Sequence, residues 1–384
     1  MNIPFHRPNI PNNLDQVLPS SVKSGWLTTG YQVKIFEKML EEYLGAKYVV
    51  GLNSCTAALH LALAAKGFGR SNKFIVPTLT FVSTIECGEY LGMQPILVDT
   101  EPDGFLLDLN IVEDILKKDK NVKVIIPVHY AGEPVNMECL WSLADKYGLF
   151  ILEDAAHALE SVANNCKIGN TDYSAAFSFY ANKNITTGGE GGALATNNAE
   201  LAEKVRQLSL HGITRDGWNR YKNNHKWEYD IIELGYKYNL TDYAASFGIW
   251  QIGFVKQWQE RRKEIVQRYQ KGLSEIGSML LPEICQGHSK HLYVIRLIKE
   301  KWSITRNQFI EKMNQKGIGL AVHYKPIHKL SYYINRYNFQ ENKFPRADSL
   351  YNSIISLPLY PSLEDKEIDY ILTEINKLYN EYSK

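Results

Sequence analysis

Cysteine is scarce in this chain, five residues in 384 (Cys55, Cys87, Cys139, Cys166 and Cys285), and no two stand in a CxxC spacing. That excludes a zinc knuckle and a disulfide framework and fits a reducing, cytoplasmic setting. Charge of one sign is lacking too. The formal net charge is +1, so neither a nucleic-acid nor a membrane partner is expected. No uninterrupted apolar run is long enough to span a bilayer, and the opening stretch MNIPFHRPNIPNN has no apolar core of the kind a secretory leader needs. The glycine-rich nucleotide loops are also missing. The turn after the first strand-like run reads GLNSCTAA, which does not supply the glycines of a nicotinamide dehydrogenase. In FSFYANKNITTGGEGGAL (177–194) the glycines follow Lys183, and Asn184 comes next. A phosphate-binding P-loop has the reverse order.

Apolar strand-like runs are plentiful. YVVGLN, KFIVPT, QPILVDT, VKVIIPV, LFILED and AAFSFY are short and bounded by turn residues, and helical patterns such as VKIFEKMLEEYL and TAALHLALAAKG lie among them. This alternation predicts an α/β fold with a mostly parallel sheet between helices, with ligands at the carboxyl ends of its strands. A long helix is expected over 241–275, and DKEIDYILTEINKLYNEY reads as an amphipathic C-terminal helix. We expect a boundary near 250, giving a large domain of residues 1–250 and a smaller α/β domain of residues 251–384.

Four features fall at that sheet edge, and each has an ordinary reading. Lys183 is a surface lysine at a strand end, or an amine in a loop whose glycines let backbone approach a bound molecule. Asp154 ends a buried strand as a helix N-cap, or as a carboxylate facing a ligand with His157 three residues on. Ser54, Cys55 and Thr56 open a helix, where hydroxyls and backbone N–H groups cap the helix or hold an anion. Phe81, just past another strand, is core or a stacking surface. Taken together they match the needs of pyridoxal 5'-phosphate. Its phosphate takes a helix N-terminus, its ring an aromatic face, its pyridine nitrogen a carboxylate, and its aldehyde a lysine amine as a Schiff base.

The ordered motifs SGWLTTG (24–30), NSCTAALHLAL, VPTLTFVSTIE, VDTEPDGF, PVHYAGEP, EDAAHALE, HGITRDGWNRY (211–221), ELGYKYNLTDYAASFG, VHYKPIH (322–328), FPRAD and SLPLYPSL resemble, nearly end to end, the DegT/DnrJ/EryC1/StrS family of pyridoxal-phosphate-dependent nucleotide-sugar aminotransferases. The resemblance implies the fold type I aminotransferase architecture. It makes Lys183 the Schiff-base lysine and Asp154 the partner of the pyridine nitrogen. His157 lies near the ring hydroxyl, where many members have Gln. Ser54, Cys55, Thr56 and Ser178 become phosphate contacts, and Phe81 the stacking ring. Lys237 and Asn239, where many relatives have Asn and Arg, fall in a loop that reaches the partner subunit's phosphate, implying a homodimer with shared sites. TTGGEGG has one glycine more than the usual TTGEGG.

The implied reaction moves an amino group from L-glutamate to the keto carbon of a nucleotide-linked deoxysugar, through the pyridoxamine form of the cofactor, in cytoplasmic glycan or lipopolysaccharide O-antigen biosynthesis. HGITRDGWNRY and GYKYNLTD look most like members that aminate carbon four. His211, Arg215, Trp218 and Arg220 are then substrate contacts, or ordinary polar residues of a surface loop. Trp26, Thr28, His323 and Tyr324 are the other candidates. Carbon-three amination is the main rival. Sugar dehydratases of the family have histidine in place of the lysine, and a non-catalytic member would bind no cofactor.

Overall fold

The computed structural model describes residues 1–17, 19–23, 25–213, 229–339 and 342–384. A seven-stranded sheet carries the larger part of the molecule. Its strands are β1 (Tyr48–Leu52), β2 (Lys73–Pro77), β3 (Gln94–Val98), β4 (Val122–Ile125), β5 (Phe150–Asp154), β6 (Ser174–Ser178) and β7 (Gly192–Thr196). They lie in the order β1-β7-β6-β5-β4-β2-β3. The six expected strands all form. The seventh, GALAT, returns from the glycine run and inserts antiparallel between β1 and β6, so Gly192 pairs with both Leu52 and Ser178. Its residues are all buried. Because the strand is covered on both faces, alanine, leucine and threonine follow one another with no polar alternation to mark it.

Helix α1 (Tyr31–Leu44) packs on α4 (Asp242–Ile252). Glycine at the N-cap leaves α1 without a capping side chain of its own. The Asp242 carboxylate fills that role from 200 residues away, accepting the N–H groups of Gly30 at 2.8 Å and Val33 at 3.0 Å. The single helix expected over 241–275 is two helices, α4 and α5 (Val255–Leu273), parted at Gly253 and Phe254. Most of α5 serves a different core from α4. Ala245 and Ile252 of α4 join the large core around the seven-stranded sheet. Val255, at the start of α5, joins it too, and Ile265, Val266, Tyr269 and Leu273 further along α5 join a second core.

The second core lies between α5, the C-terminal helix α6 (Asp365–Tyr382) and a three-stranded antiparallel sheet of β8 (Met279–Leu280), β9 (Tyr293–Leu297) and β10 (Ile354–Leu357). The chain's first residues are part of it. Ile3 pairs with Ile318 and is fully buried there, and Arg7 reaches Glu367 of α6 at 3.4 Å. An N-terminal segment counted with residues 1–250 in sequence thus packs with the later residues in space. Among the described residues no helix is long and apolar enough to cross a membrane.

Candidate active site

The carboxyl ends of β1, β2, β5 and β6 meet at a cavity of about 400 Å³. Helix α2 (Cys55–Ala65) starts there directly after β1. Ser54 is its N-cap, and the Ser54 hydroxyl accepts the Ala57 N–H at 3.1 Å. Capping, one of the two readings of Ser54, is therefore realised. Thr56, one residue into the helix, also lines the cavity. Cys55 is buried, and its Sγ donates to the Ala176 carbonyl at 3.3 Å. Burial, and then the nearby Asp154 charge, push its thiol well up, so it is no nucleophile.

The helix start sits unusually close to β7. A Cβ on Gly192 would collide with the backbone of Ser54 and Cys55. Gly192→Ala is therefore expected to destabilise the fold by about 2–3 kcal/mol, as overpacking against backbone does. A urea midpoint that does not move would contradict this.

No helix follows β5, so Asp154 is not a helix N-cap. Its Oδ1 accepts the Ala156 N–H at 3.2 Å, closing a short turn. Its Oδ2 accepts the Thr84 hydroxyl at 2.8 Å. Thr84 lies in helix α3 (Ser83–Glu89). The sequence reading quoted that segment but gave Thr84 no role, because only the packing of α3 on the sheet brings it to β5. Asp154 is buried, which raises its carboxyl above the usual range against the pull of Thr84, Ala156 and Lys183.

Lys183 lines the same cavity. It sits in a turn whose N–H bonds back to the Tyr180 carbonyl at 2.9 Å. Burial lowers its amine to about 8, although Asp154 opposes the shift. At pH 7.5 roughly a quarter of such an amine is neutral, against roughly one in a thousand of an exposed lysine. The glycines after it shape the return. Gly188 and Gly189 have φ of 89° and 144°, which other residues adopt only with strain. Tyr180 bridges to Gly189, and the extra glycine is absorbed in this bend.

His157 is held from both sides. Its Nδ1 accepts the Ala131 N–H at 3.2 Å, so Nε2 carries the hydrogen and faces the Tyr324 hydroxyl at 2.9 Å. Burial, then Lys183, keeps His157 well below its ordinary value and therefore neutral. His323 is lowered to about 4 by the same two causes and bonds Ser356 Oγ at 2.8 Å. Phe81, half-exposed, stands 5.7 Å from the Tyr324 ring across the opening. Ser178 lies at the end of β6, on the cavity wall.

The structure thus gathers Ser54, Cys55, Thr56, Phe81, Asp154, His157, Ser178, Lys183, His323 and Tyr324 around one space. It does not bring in the others. Lys237 Nζ donates to Asn239 Oδ1 at 2.8 Å, and Asn239 Nδ2 to Thr29 at 2.6 Å. Both lie beside Asn53, whose N–H bonds Tyr238, but outside this chain's own cavity. Trp26 and Thr28 lie near Asp242, away from it, and His211 bonds the Tyr236 carbonyl through its N–H. Arg215, Trp218 and Arg220 fall outside the described residues. The sequence reading also missed a back wall. His291 Nδ1 meets Asn184 Oδ1 at 2.8 Å, next to Lys183, and Ser289 Oγ donates to the His157 carbonyl at 2.6 Å. Nothing in the spacing of GHSKH announces this.

The donor set suits pyridoxal phosphate. A buried carboxylate stands at the end of β5 ready for a ring N–H, a largely neutral amine shares its cavity, and a helix opens there with N–H groups that have no intrahelical partner. The sequence model of the DegT/DnrJ/EryC1/StrS aminotransferase family matches residues 8–376. The chain belongs to this family. Spore coat polysaccharide biosynthesis protein SpsC of Bacillus subtilis (strain 168) is 38% identical over 379 residues, 98% of this chain and 97% of its own length. The putative sugar aminotransferase Spr1654 from Streptococcus pneumoniae, in its PMP form, superposes with a TM-score of 0.91 at 32% identity, covering 99% of this chain and 100% of that one. PseC of Helicobacter pylori, an aminotransferase involved in the biosynthesis of pseudoaminic acid, gives 0.90 at 27% identity, with coverage of 99% and 100%. The family member described here is a fold type I sugar aminotransferase, and its cofactor is pyridoxal 5'-phosphate.

Proposed function

We propose that the enzyme transfers an amino group from L-glutamate to carbon four of a nucleotide-linked 4-keto-deoxysugar, with Lys183 and Asp154 as its central residues. The observation that carries this reading is the meeting of a buried carboxylate and a low-pKa amine in one cavity at the start of α2. When bound, the cofactor supplies an aldehyde that captures amino groups and a ring that takes up the electron pair left by a departing proton.

The residues do the rest. Thr56, Ser178 and the opening N–H groups of α2, with Ser54 as its cap, hold the phosphate. Asp154, kept in place by Thr84 and Ala156, holds the proton on the ring nitrogen. Phe81 would lie against the ring, and His157, whose Nε2–H meets the Tyr324 hydroxyl, would stand near the ring oxygen. Lys183, largely desolvated, takes a proton from the substrate carbon and returns it in the second half of the cycle.

Two copies of the chain complete two sites in this reading. Lys237 and Asn239 lie outside their own cavity, and Ile231, Ile232 and Leu234 nearby are 55%, 57% and 89% exposed, a patch that suits a second copy. We take residues 1–250 as the cofactor unit and 251–384 as the small domain, with Ile3 crossing between them. Trp26, Thr28, His211, Arg215, Trp218, Arg220, His323 and Tyr324 are the proposed substrate contacts.

The test is a screen of UDP-, GDP- and dTDP-linked ketosugars with glutamate, followed by the carbon–proton correlation spectrum of the product. The expected product carries nitrogen on carbon four. Nitrogen on carbon three would overturn the regiochemistry and leave the aminotransferase intact.

A further inference from the structure

The hydrogen bonds around His157 leave one proton over. His157 Nδ1 accepts the Ala131 N–H, so in the neutral ring Nε2 carries the hydrogen. Nε2 therefore donates to the Tyr324 oxygen at 2.9 Å, and the hydroxyl's own hydrogen is not used in that bond. Among the described residues the Tyr324 hydroxyl makes no second hydrogen bond. Tyr324 lines the cavity that holds Lys183, so an O–H donor is left over there. Burial, then the Asp154 charge, pushes its phenol well above the ordinary value, and the proton stays on.

Two other hydroxyls on the cavity wall are committed. Thr80 meets Thr84 at 2.8 Å, which passes its own hydrogen to Asp154, and Ser54 donates to Asn53 Oδ1 at 3.3 Å. Tyr324 is held as firmly, yet its proton stays unspent. Its ring stacks on His157 with 6.1 Å between centroids and 22° between planes. The His291 ring lies 4.4 Å from that of His157, and Ser289 Oγ donates to the His157 carbonyl at 2.6 Å. The Tyr130 hydroxyl donates to the carbonyl of His323, the residue before Tyr324. A donor aimed in advance needs no reorganisation when charge develops on its acceptor.

We propose that Tyr324 is a catalytic residue that donates its O–H to the keto oxygen of the substrate, with His157 as the positioning residue that aims it. This rests on reading the Lys183 cavity as the site of amino transfer. When a primary amine condenses with a keto carbon, a C=N bond replaces C=O and the oxygen leaves as water. Both hydrogens of that water come from the amine nitrogen, so Tyr324 shares its hydrogen with the departing oxygen and keeps it at the end. The keto acid left by glutamate forms by the same exchange run backwards, so Tyr324 serves both halves of the cycle. Lys183 works on the proton at carbon, Tyr324 on the oxygen.

The experiment compares two rates in the holoenzyme supplied with L-glutamate in D2O: loss of the α-hydrogen of glutamate to solvent, and formation of 2-oxoglutarate. Tyr324→Phe keeps the ring and removes only the hydroxyl. It should form 2-oxoglutarate on the order of 100-fold more slowly while α-hydrogen loss persists, because only the oxygen step has lost its donor. Two rates that fall together point to a displaced Lys183 and overturn the proposal, as does a wild-type rate of 2-oxoglutarate formation. His157→Gln, which retains an N–H, should keep the wild-type ratio of the two rates, and His157→Leu should show the pattern of Tyr324→Phe. Equal ratios in these two variants remove His157 from the positioning role. In the apo protein labelled with ¹⁵N-histidine, His157 should appear as the Nε2–H tautomer, with a resonance that moves in Tyr324→Phe. The Nδ1–H tautomer would overturn the premise without any turnover. A wild type that carries out neither reaction overturns the reading of the cavity itself, so the two failures are told apart.

Discussion

Lys183→Ala is expected to lower turnover by at least about a thousandfold, since on the proposed roles the variant loses both the amine that holds the cofactor and the group that moves the substrate proton. The fold should survive, because Lys183 forms no ion pair among the described residues and its turn is held by the backbone bond to Tyr180. Borohydride treatment of the wild-type holoenzyme should leave the cofactor's mass on the peptide containing Lys183. A label on another lysine would sink the assignment. The low pKa adds a signature of its own. Only the neutral amine captures an aldehyde, so the rate at which the apo protein takes up pyridoxal phosphate should rise about tenfold per pH unit at low pH and level off above about pH 8. An ordinary exposed lysine would keep rising to beyond pH 10. A profile still climbing steeply at pH 9.5 would show that burial does not tune this amine.

Asp154→Ala should lower turnover by about 100- to 1,000-fold or more, the scale seen when one preorganised electrostatic partner is removed from a developing charge. The stability effect separates this role from a structural one. Burial raises the Asp154 carboxyl, so in the apo protein its contribution to stability is fully present below its unfolded pKa and is lost as pH rises through the folded value. At neutral pH the empty site therefore gains little from the charge, and the alanine variant loses mainly the bonds to Thr84 and Ala156. Apo unfolding should shift by no more than about 1–2 kcal/mol. The wild-type holoenzyme should gain more from the cofactor than the variant does, since only the wild type pairs the ring N–H with a carboxylate. Near-normal turnover in Asp154→Ala would reduce the residue to a turn former.

What the sequence determined by itself is the order of the strands along the chain and the residue types at their ends. Short apolar runs bounded by turns made six of the seven sheet strands legible, because burial on both faces writes itself as continuous hydrophobicity. The same logic placed Asp154, Phe81, Lys183 and the start of α2 at one edge, and their chemistry pointed to one cofactor. β7 escaped because GALAT, hidden between two strands, shows no period and follows a glycine run. The division of the helix expected over 241–275 escaped because both halves are helical in pattern. The break at Gly253 and Phe254 shows only in the folded chain.

Tertiary structure alone decided who holds whom. Thr84 reaches Asp154 across 70 residues, Asp242 caps α1 across more than 200, and the GHSKH segment braces His157 and Asn184 from the second half of the chain. It also decided protonation. The amine of Lys183 and the rings of His157 and His323 are shifted by burial first, and burial is set by how distant segments close over a side chain. Local pattern carries the positions of strands and turns, because these follow from each residue's own neighbours. Desolvation and long-range hydrogen bonds depend on the packed whole, and no window of sequence contains them.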